Sequence, residues 1–234
     1  MLHVGYAAIL SAMHSTQEKL ALLLTSGCAI SWLESALQDA GWRVRSLAFE
    51  FTGRAEVESD ARQLLGGNAP DLVLHCHLPK DAAALRLGDV SAANWQQLCE
   101  APLRRTLISL QVARTLLGNR GAIVGLGPAF PLNGVAGLVA LGAAVEGQRT
   151  LVKAAARQWI GSEIAVNWLA LKTERLLPQL ADVPQLGRFE VGSYGRRVPD
   201  DARLAALITA IAGNAGLAMA GQTLIADGGD WMTP

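Results

Sequence analysis

Short apolar runs alternate along this chain with stretches of helical periodicity, and that alternation restricts the fold more than any other feature. Leu20–Leu24 (LALLL), Arg43–Phe49, Asp71–His75 (DLVLH), Ala122–Leu126, Ile164–Leu169 and Leu224–Ala226 read as strands. Between them, Ile30–Ala40, Glu56–Leu65, Trp95–Leu117, Val135–Ile160 and Pro199–Ala212 read as helices. Strands that alternate with helices in this way form βαβ units and a parallel sheet. DLVLH is apolar enough to be buried on both faces, as parallel strands are. Pro199 and the acidic residues after it suit the first turn of a helix. Thr173–Arg197, with two prolines and three glycines, reads as irregular. The expected fold is α/β: one domain over 19–234, a Rossmann-like, doubly wound parallel sheet flanked by helices, preceded by an N-terminal extension over 1–18.

At 234 residues, 51% of them apolar, the chain can bury one large core. Its 20 basic side chains are balanced by 20 acidic ones. That balance argues against nucleic acid and against a polybasic membrane contact. Cys28, Cys76 and Cys99 are odd in number and widely spaced, without a C-x-x-C pair. This pattern suits a reducing cytoplasm better than a disulfide framework or a thiolate zinc site. The apolar segment Val4–Met13 has no Lys or Arg before it, so an ordered extension is favoured over a signal peptide. No apolar run reaches the ~20 residues that span a bilayer.

The stretch from Gly121 to Asn167 (GAIVGLGPAFPLNGVAGLVALGAAVEGQRTLVKAAARQWIGSEIAVN) resembles the second half of a short-chain dehydrogenase/reductase. It can be laid without a gap on the bacterial 3-oxoacyl-carrier-protein reductases of that family. The resemblance runs from about Lys19 to the C-terminus, and the tail GQTLIADGGDWM resembles the family's last strand and Gly-Gly turn. It implies an Asn, a Ser, a Tyr and a Lys that pass a proton to a carbonyl as hydride arrives, work worth ~10²–10⁴ in rate. On this chain those positions fall on Pro102, Pro128, Leu141 and Val145. Leu141 and Val145 can neither donate a proton nor stabilise a phenolate, and Pro128 offers neither a hydroxyl nor an amide hydrogen. Pro102 can hold the helix kink that the family's Asn occupies. Shifting the helix by a turn would substitute Leu138 and Gly142, which restores nothing.

The cofactor side departs from the family as well. Its T-G-x-x-x-G-I-G turn corresponds to Thr25-Ser26-Gly27-Cys28-Ala29-Ile30-Ser31, where one glycine remains and the distance to Gly41 is two residues short. Side chains at Ala29 and Ser31 would crowd the place of phosphate oxygens. An ordinary strand-to-helix turn, with Ser26 or Ser31 near the N-cap, is the favoured reading. The family's N-N-A-G falls on His75-Cys76-His77-Leu78, and its P-G after V-N-x-x-x on Leu171-Lys172. His75 and His77 could face the same way at a strand end, but no third metal ligand is signalled. Two histidines bonded to neighbouring loops is the preferred reading. Trp95 and Trp159 fall where the family has core aromatics; Trp42 and Trp231 suit core or subunit contact.

No residue is therefore assigned a catalytic, cofactor-binding or metal-binding role, and no cofactor is expected. The leading expectation is a non-catalytic homologue serving as a structural or regulatory subunit, in a homo-oligomer or with an active reductase. Reductases of the family assemble through two long helices, here Trp95–Leu117 and Val135–Ile160. The second carries Gly134, Gly137, Gly142, Ala143, Ala144 and Gly147, which permit close approach. The first alternative is an atypical NAD(P)-dependent oxidoreductase using His75, His77, Lys172 or Tyr194. The second is a binder of a hydrophobic molecule in a former substrate cleft lined by Pro128, Leu138, Leu141 and Val145, with Thr173–Arg197 as its lid.

Overall fold

The computed structural model describes residues 18–28, 30–50, 53–183 and 199–229. Tyr194, Trp231 and most of the expected N-terminal extension lie outside them, as does much of the Thr173–Arg197 segment. The first half of the fold runs β1 (Lys19–Ser26), α1 (Ser31–Asp39), β2 (Trp42–Ala48), α2 (Arg54–Leu64) and β3 (Leu72–His77). A short helix α3 (Ala92–Trp95) leads through a π-helical segment, Gln96–Glu100, into α4 (Ala101–Leu117). Then follow β4 (Arg120–Pro128), α5 (Val139–Gln158), β5 (Glu163–Leu171), α6 (Thr173–Leu176), α7 (Asp201–Ile211), α8 (Asn214–Ala218) and β6 (Thr223–Ala226).

The strands form one six-stranded sheet in the order β2-β1-β3-β4-β5-β6, every pair parallel. α2, α4 and α5 pack on one face, and α1, α7 and α8 on the other. Both faces being covered, β3 and the centres of β1, β4 and β5 are buried throughout. The strand order reverses between β1 and β3, and this switch point is where open α/β sheets receive ligands.

The expected strands and long helices are all present, within a few residues at their ends. Asp200 caps α7, its side chain accepting from the Arg203 amide at 2.8 Å, with Asp201 in the first turn. Ser31 stands next to the N-cap of α1, which is Ile30, and the cap carries no side-chain hydrogen bond. Ser26 is engaged elsewhere. The long helix expected from Trp95 is interrupted by the π-helical segment, which widens the turn just before Pro102. Helix kinks arise at prolines and at such bulges, and here the two coincide.

Trp168 of β5 is the largest fully buried side chain among the described residues, and it determines what β4 can be. Its ring lies across the neighbouring strand. A Cβ on Gly127 would meet ring carbon Cζ2 at 2.2 Å, and one on Gly125 would meet Cε3 at 2.5 Å. Neither approach is possible for a larger residue unless the indole moves. Gly127→Ala is therefore expected to destabilise the fold by ~1–3 kcal/mol, the usual cost of overpacking a core. Urea unfolding checks this. In a Trp168→Leu background the penalty of Gly127→Ala should shrink, and equal penalties in both backgrounds would remove the indole as its cause.

Candidate functional site

β1 ends at Ser26 and β3 at His77, and the register places these two residues side by side at the switch point. Ser26 Oγ lies 3.1 Å from His77 Nδ1, and His77 Nε2 lies 2.7 Å from Ser109 Oγ of α4. Arg105, one turn earlier on α4, donates from Nη1 to Ser26 Oγ at 3.4 Å. Each ring nitrogen of His77 thus has a serine hydroxyl as its partner, and the tautomer sets which of the two bonds the ring donates. Arg105 also donates from Nε to the Glu50 carbonyl at 3.0 Å and pairs with the Glu50 carboxylate. Gln148 of α5 donates from Nε2 to the carbonyls of His77, at 2.7 Å, and Pro102, at 3.3 Å. Ser26, His77, Arg105, Ser109 and Gln148 are all buried.

His75 and His77 do face the same way, their rings stacked with centroids 6.0 Å apart. Phe49 meets His77 edge-on at 5.0 Å, and Trp168 stands 6.3 Å from His75. The His77 ring is hydrogen-bonded, but its partners stand on β1 and α4 and not on loops. His75 Nε2, by contrast, has no partner among the described residues. Burial holds the His75 imidazole down to about pKa 4. His77 is also held well below the usual range, by burial first and then by the charge of a protonated His75 and of Arg105. Among the described residues, no three His, Cys, Asp or Glu side chains group as metal ligands do.

The β1–α1 turn is pressed against the chain that follows β3. Gly27 has φ +67°, and a Cβ there would lie 1.9 Å from the Leu78 carbonyl oxygen and 2.8 Å from the Lys80 amide. The glycine thus serves a contact between two backbone segments. Gln179 donates to the Lys80 carbonyl at 3.1 Å. Arg175 of α6 stacks 4.1 Å from the Trp32 ring of α1 while pairing with Asp201 of α7. Together these contacts tie the β1–α1 turn to the chain after β3, and α6 to α1 and α7.

Pro102, Pro128, Leu141 and Val145 are all buried. Leu141 and Val145, 3% and 1% exposed, belong to the main hydrophobic core. Among the described residues, Leu141 borders a void of about 10 Å³. An open, mainly apolar groove of about 890 Å³ lies beside them, between the β3–α3 loop and the start of α5. Leu85, Leu87, Phe130, Val135 and Leu138 line it, so Leu138 alone of the expected cleft residues reaches it. Lys172 stands as the N-cap of α6, making no side-chain cap there.

Arg105, Ser109, Gln148 and Trp168 escaped the sequence reading, and Ser26 entered it only as a residue near a helix cap. Polar residues at core positions of α4 and α5, and the Gly-x-Gly of β4 facing a tryptophan, were the available signals.

Acid should uncouple the histidine pair. An unfolded chain ionises His75 near pH 6.5, the fold at about 4, so between these values the unfolded state holds more protons. Stability contributed by neutral His75 is therefore complete above pH 6.5 and lost progressively on acidification towards about 4. The loss is roughly 3 kcal/mol at ~1.4 kcal/mol per pKa unit. Urea midpoints across that range check this, and His75→Phe should flatten the slope. An unchanged slope in that variant would transfer the effect to other groups.

No protein-family sequence model matches the chain, and no curated protein matches it significantly in sequence. Solved structures do. A short-chain dehydrogenase/reductase described as a glucose/ribitol dehydrogenase, from Brucella melitensis, superposes with TM-score 0.73 at 15% identity over 92% of this chain and 98% of its own. A short-chain dehydrogenase from Burkholderia cenocepacia in complex with NADP gives TM-score 0.70 at 17% identity, over 92% and 98%. A doubly substituted short-chain dehydrogenase/reductase from Serratia marcescens gives 0.69 at 19%, over 93% and 99%. At these identities the likeness is one of fold, and the chain has the fold of the short-chain dehydrogenases/reductases.

Proposed function

We propose that this chain is a non-catalytic member of the short-chain dehydrogenase/reductase family, acting as a structural or regulatory subunit in an oligomer with itself or with an active reductase. The observation that carries the reading is the filled interior at the switch point. His77 is clasped between Ser26 and Ser109, Gly27 is packed on Leu78–Lys80, and Arg175 lies over Trp32. A dinucleotide needs a backbone free to approach its pyrophosphate and an open helix N-terminus. The residues present do not fit one, because the one glycine of the turn is spent on a contact within the chain. The four positions where the family's proton relay would stand carry buried groups without a side-chain hydrogen to give. We accordingly assign no catalytic, cofactor or metal ligand role to any residue.

The outer surface of α4 and α5 supports the subunit role. Leu107, 44% exposed, flanks a seam with Leu151 and Ala154, and Val139 is exposed at the start of α5. The small residues of α5 divide between two tasks. Ala144 and Gly147 serve the contact with Leu98, Cys99 and Leu103 inside the chain. Gly142 and Ala143 face the apolar groove instead. An active reductase has the same helix pair to offer. The cytoplasm is the compartment that a reductase partner and three free thiols suit best. Among the described residues, no helix is long and apolar enough to cross a membrane.

The likeness to dehydrogenases would by itself accommodate an atypical NAD(P)-dependent oxidoreductase equally well. Titration with NADH and NADPH separates the two. No binding at millimolar cofactor is expected, whereas micromolar binding would end the non-catalytic reading. The groove beside Leu138 has the volume of a small-molecule site and favours, as a second reading, a hydrophobic ligand there. Native mass spectrometry of the chain, alone and mixed with an active reductase, tests the subunit role. Oligomers are expected, and Leu107→Glu should weaken them while leaving the melting temperature of the protomer little changed. A monomer under every condition would defeat the proposal.

A further inference from the structure

Two of the three cysteines meet at the switch point. Cys76 lies on β3 and is wholly buried, while Cys28 in the β1–α1 turn is partly exposed. The Cys28 thiol donates to the Cys76 carbonyl oxygen at 3.3 Å, which sets its sulfur directly beside residue 76. This meeting is a product of the fold. Thr25 is paired with Cys76 in the sheet, and the chain then turns back over β3 at Gly27, whose left-handed backbone is wedged against Leu78. Two cysteines 48 positions apart are thereby brought into contact. Cys99 lies in a separate cluster with Leu98, Ala140 and Ala144.

We propose that Cys28 and Cys76 are a peroxide-oxidisable dithiol, closing to an intramolecular disulfide that fastens the β1–α1 turn to β3. Cys28 reacts first, because it alone of the pair reaches the solvent. Its thiolate attacks one oxygen of a peroxide, the O–O bond breaks, and a sulfenic acid forms as water leaves once the departing oxygen is protonated. The Cys76 sulfur then attacks the Cys28 sulfur and gives up its proton, and the sulfenic oxygen departs as a second water. Two hydrogens leave the protein, and one hydrogen peroxide is reduced to two waters. The oxidised crevice is closed covalently as well as by packing.

The test uses the full chain, reduced, then treated with hydrogen peroxide, alkylated with iodoacetamide and weighed intact. The expected product has lost two hydrogens, carries alkylation on Cys99 alone, yields a Cys28–Cys76 cross-linked peptide, and reverts with dithiothreitol. In Cys76→Ser, oxidation should stop at a Cys28 sulfenic acid that dimedone traps. Cys99→Ser should behave as the unaltered chain. Oxygen accumulating on Cys28 without a cross-link would overturn the proposal, as would a link forming equally fast in the urea-unfolded chain. Because the unaltered chain supplies the deciding product, the proposal stays open to refutation even if a cysteine variant fails to fold.

Discussion

Everything at the carboxyl end of this sheet depends on the burial of one neutral imidazole. His77 satisfies both ring nitrogens with Ser26 and Ser109, and its carbonyl is taken by Gln148. A buried polar group without such partners would cost the fold 1–3 kcal/mol, so each of the three partners is held in turn by the need of the others. The bond between Ser26 and His77 ties together the two strands between which a ligand would enter. The guanidinium of Arg105, buried beside them, is paired at the rim with the Glu50 carboxylate and carbonyl. What would be a crevice is thus a hydrogen-bonded interior.

The architecture was legible because its signals are local and repeated. Runs such as LALLL and DLVLH, short and bounded by turn residues, suit strands buried on two faces, and the acidic first turn of α7 marks its start. The interior polar cluster was not legible, since its members come from β1, β3, α4 and α5 and meet only when the chain is folded. Ser26 illustrates the difficulty. Beside a strand-to-helix turn it looked like a cap, yet the register of β1 against β3 points it at His77 instead. Leu141 and Val145 were placed correctly as apolar groups, but a sequence cannot tell an apolar lining from an apolar filling. Packing density decides that, and here it favours filling.

The fold neighbours and the missing sequence matches are two sides of one condition. A sheet with helices on both faces tolerates extensive substitution provided volume and pattern are kept. Short-chain dehydrogenases/reductases at 15–19% identity share this backbone over nearly their whole length. Retention of the backbone constrains what the chain looks like, whereas chemistry is decided at a handful of side chains. The proposed role as a subunit rests on those side chains and on the outer faces of α4 and α5.

The indole of Trp168 also limits what this end of the sheet can accept. Gly125 and Gly127 are fitted beneath it, and Leu141 and Val145 lie in the same continuous core. A tyrosine or lysine introduced at residue 141 or 145 would arrive in a filled, dry interior and leave its polar atom stranded. Room for a polar group there has to come from several substitutions made together.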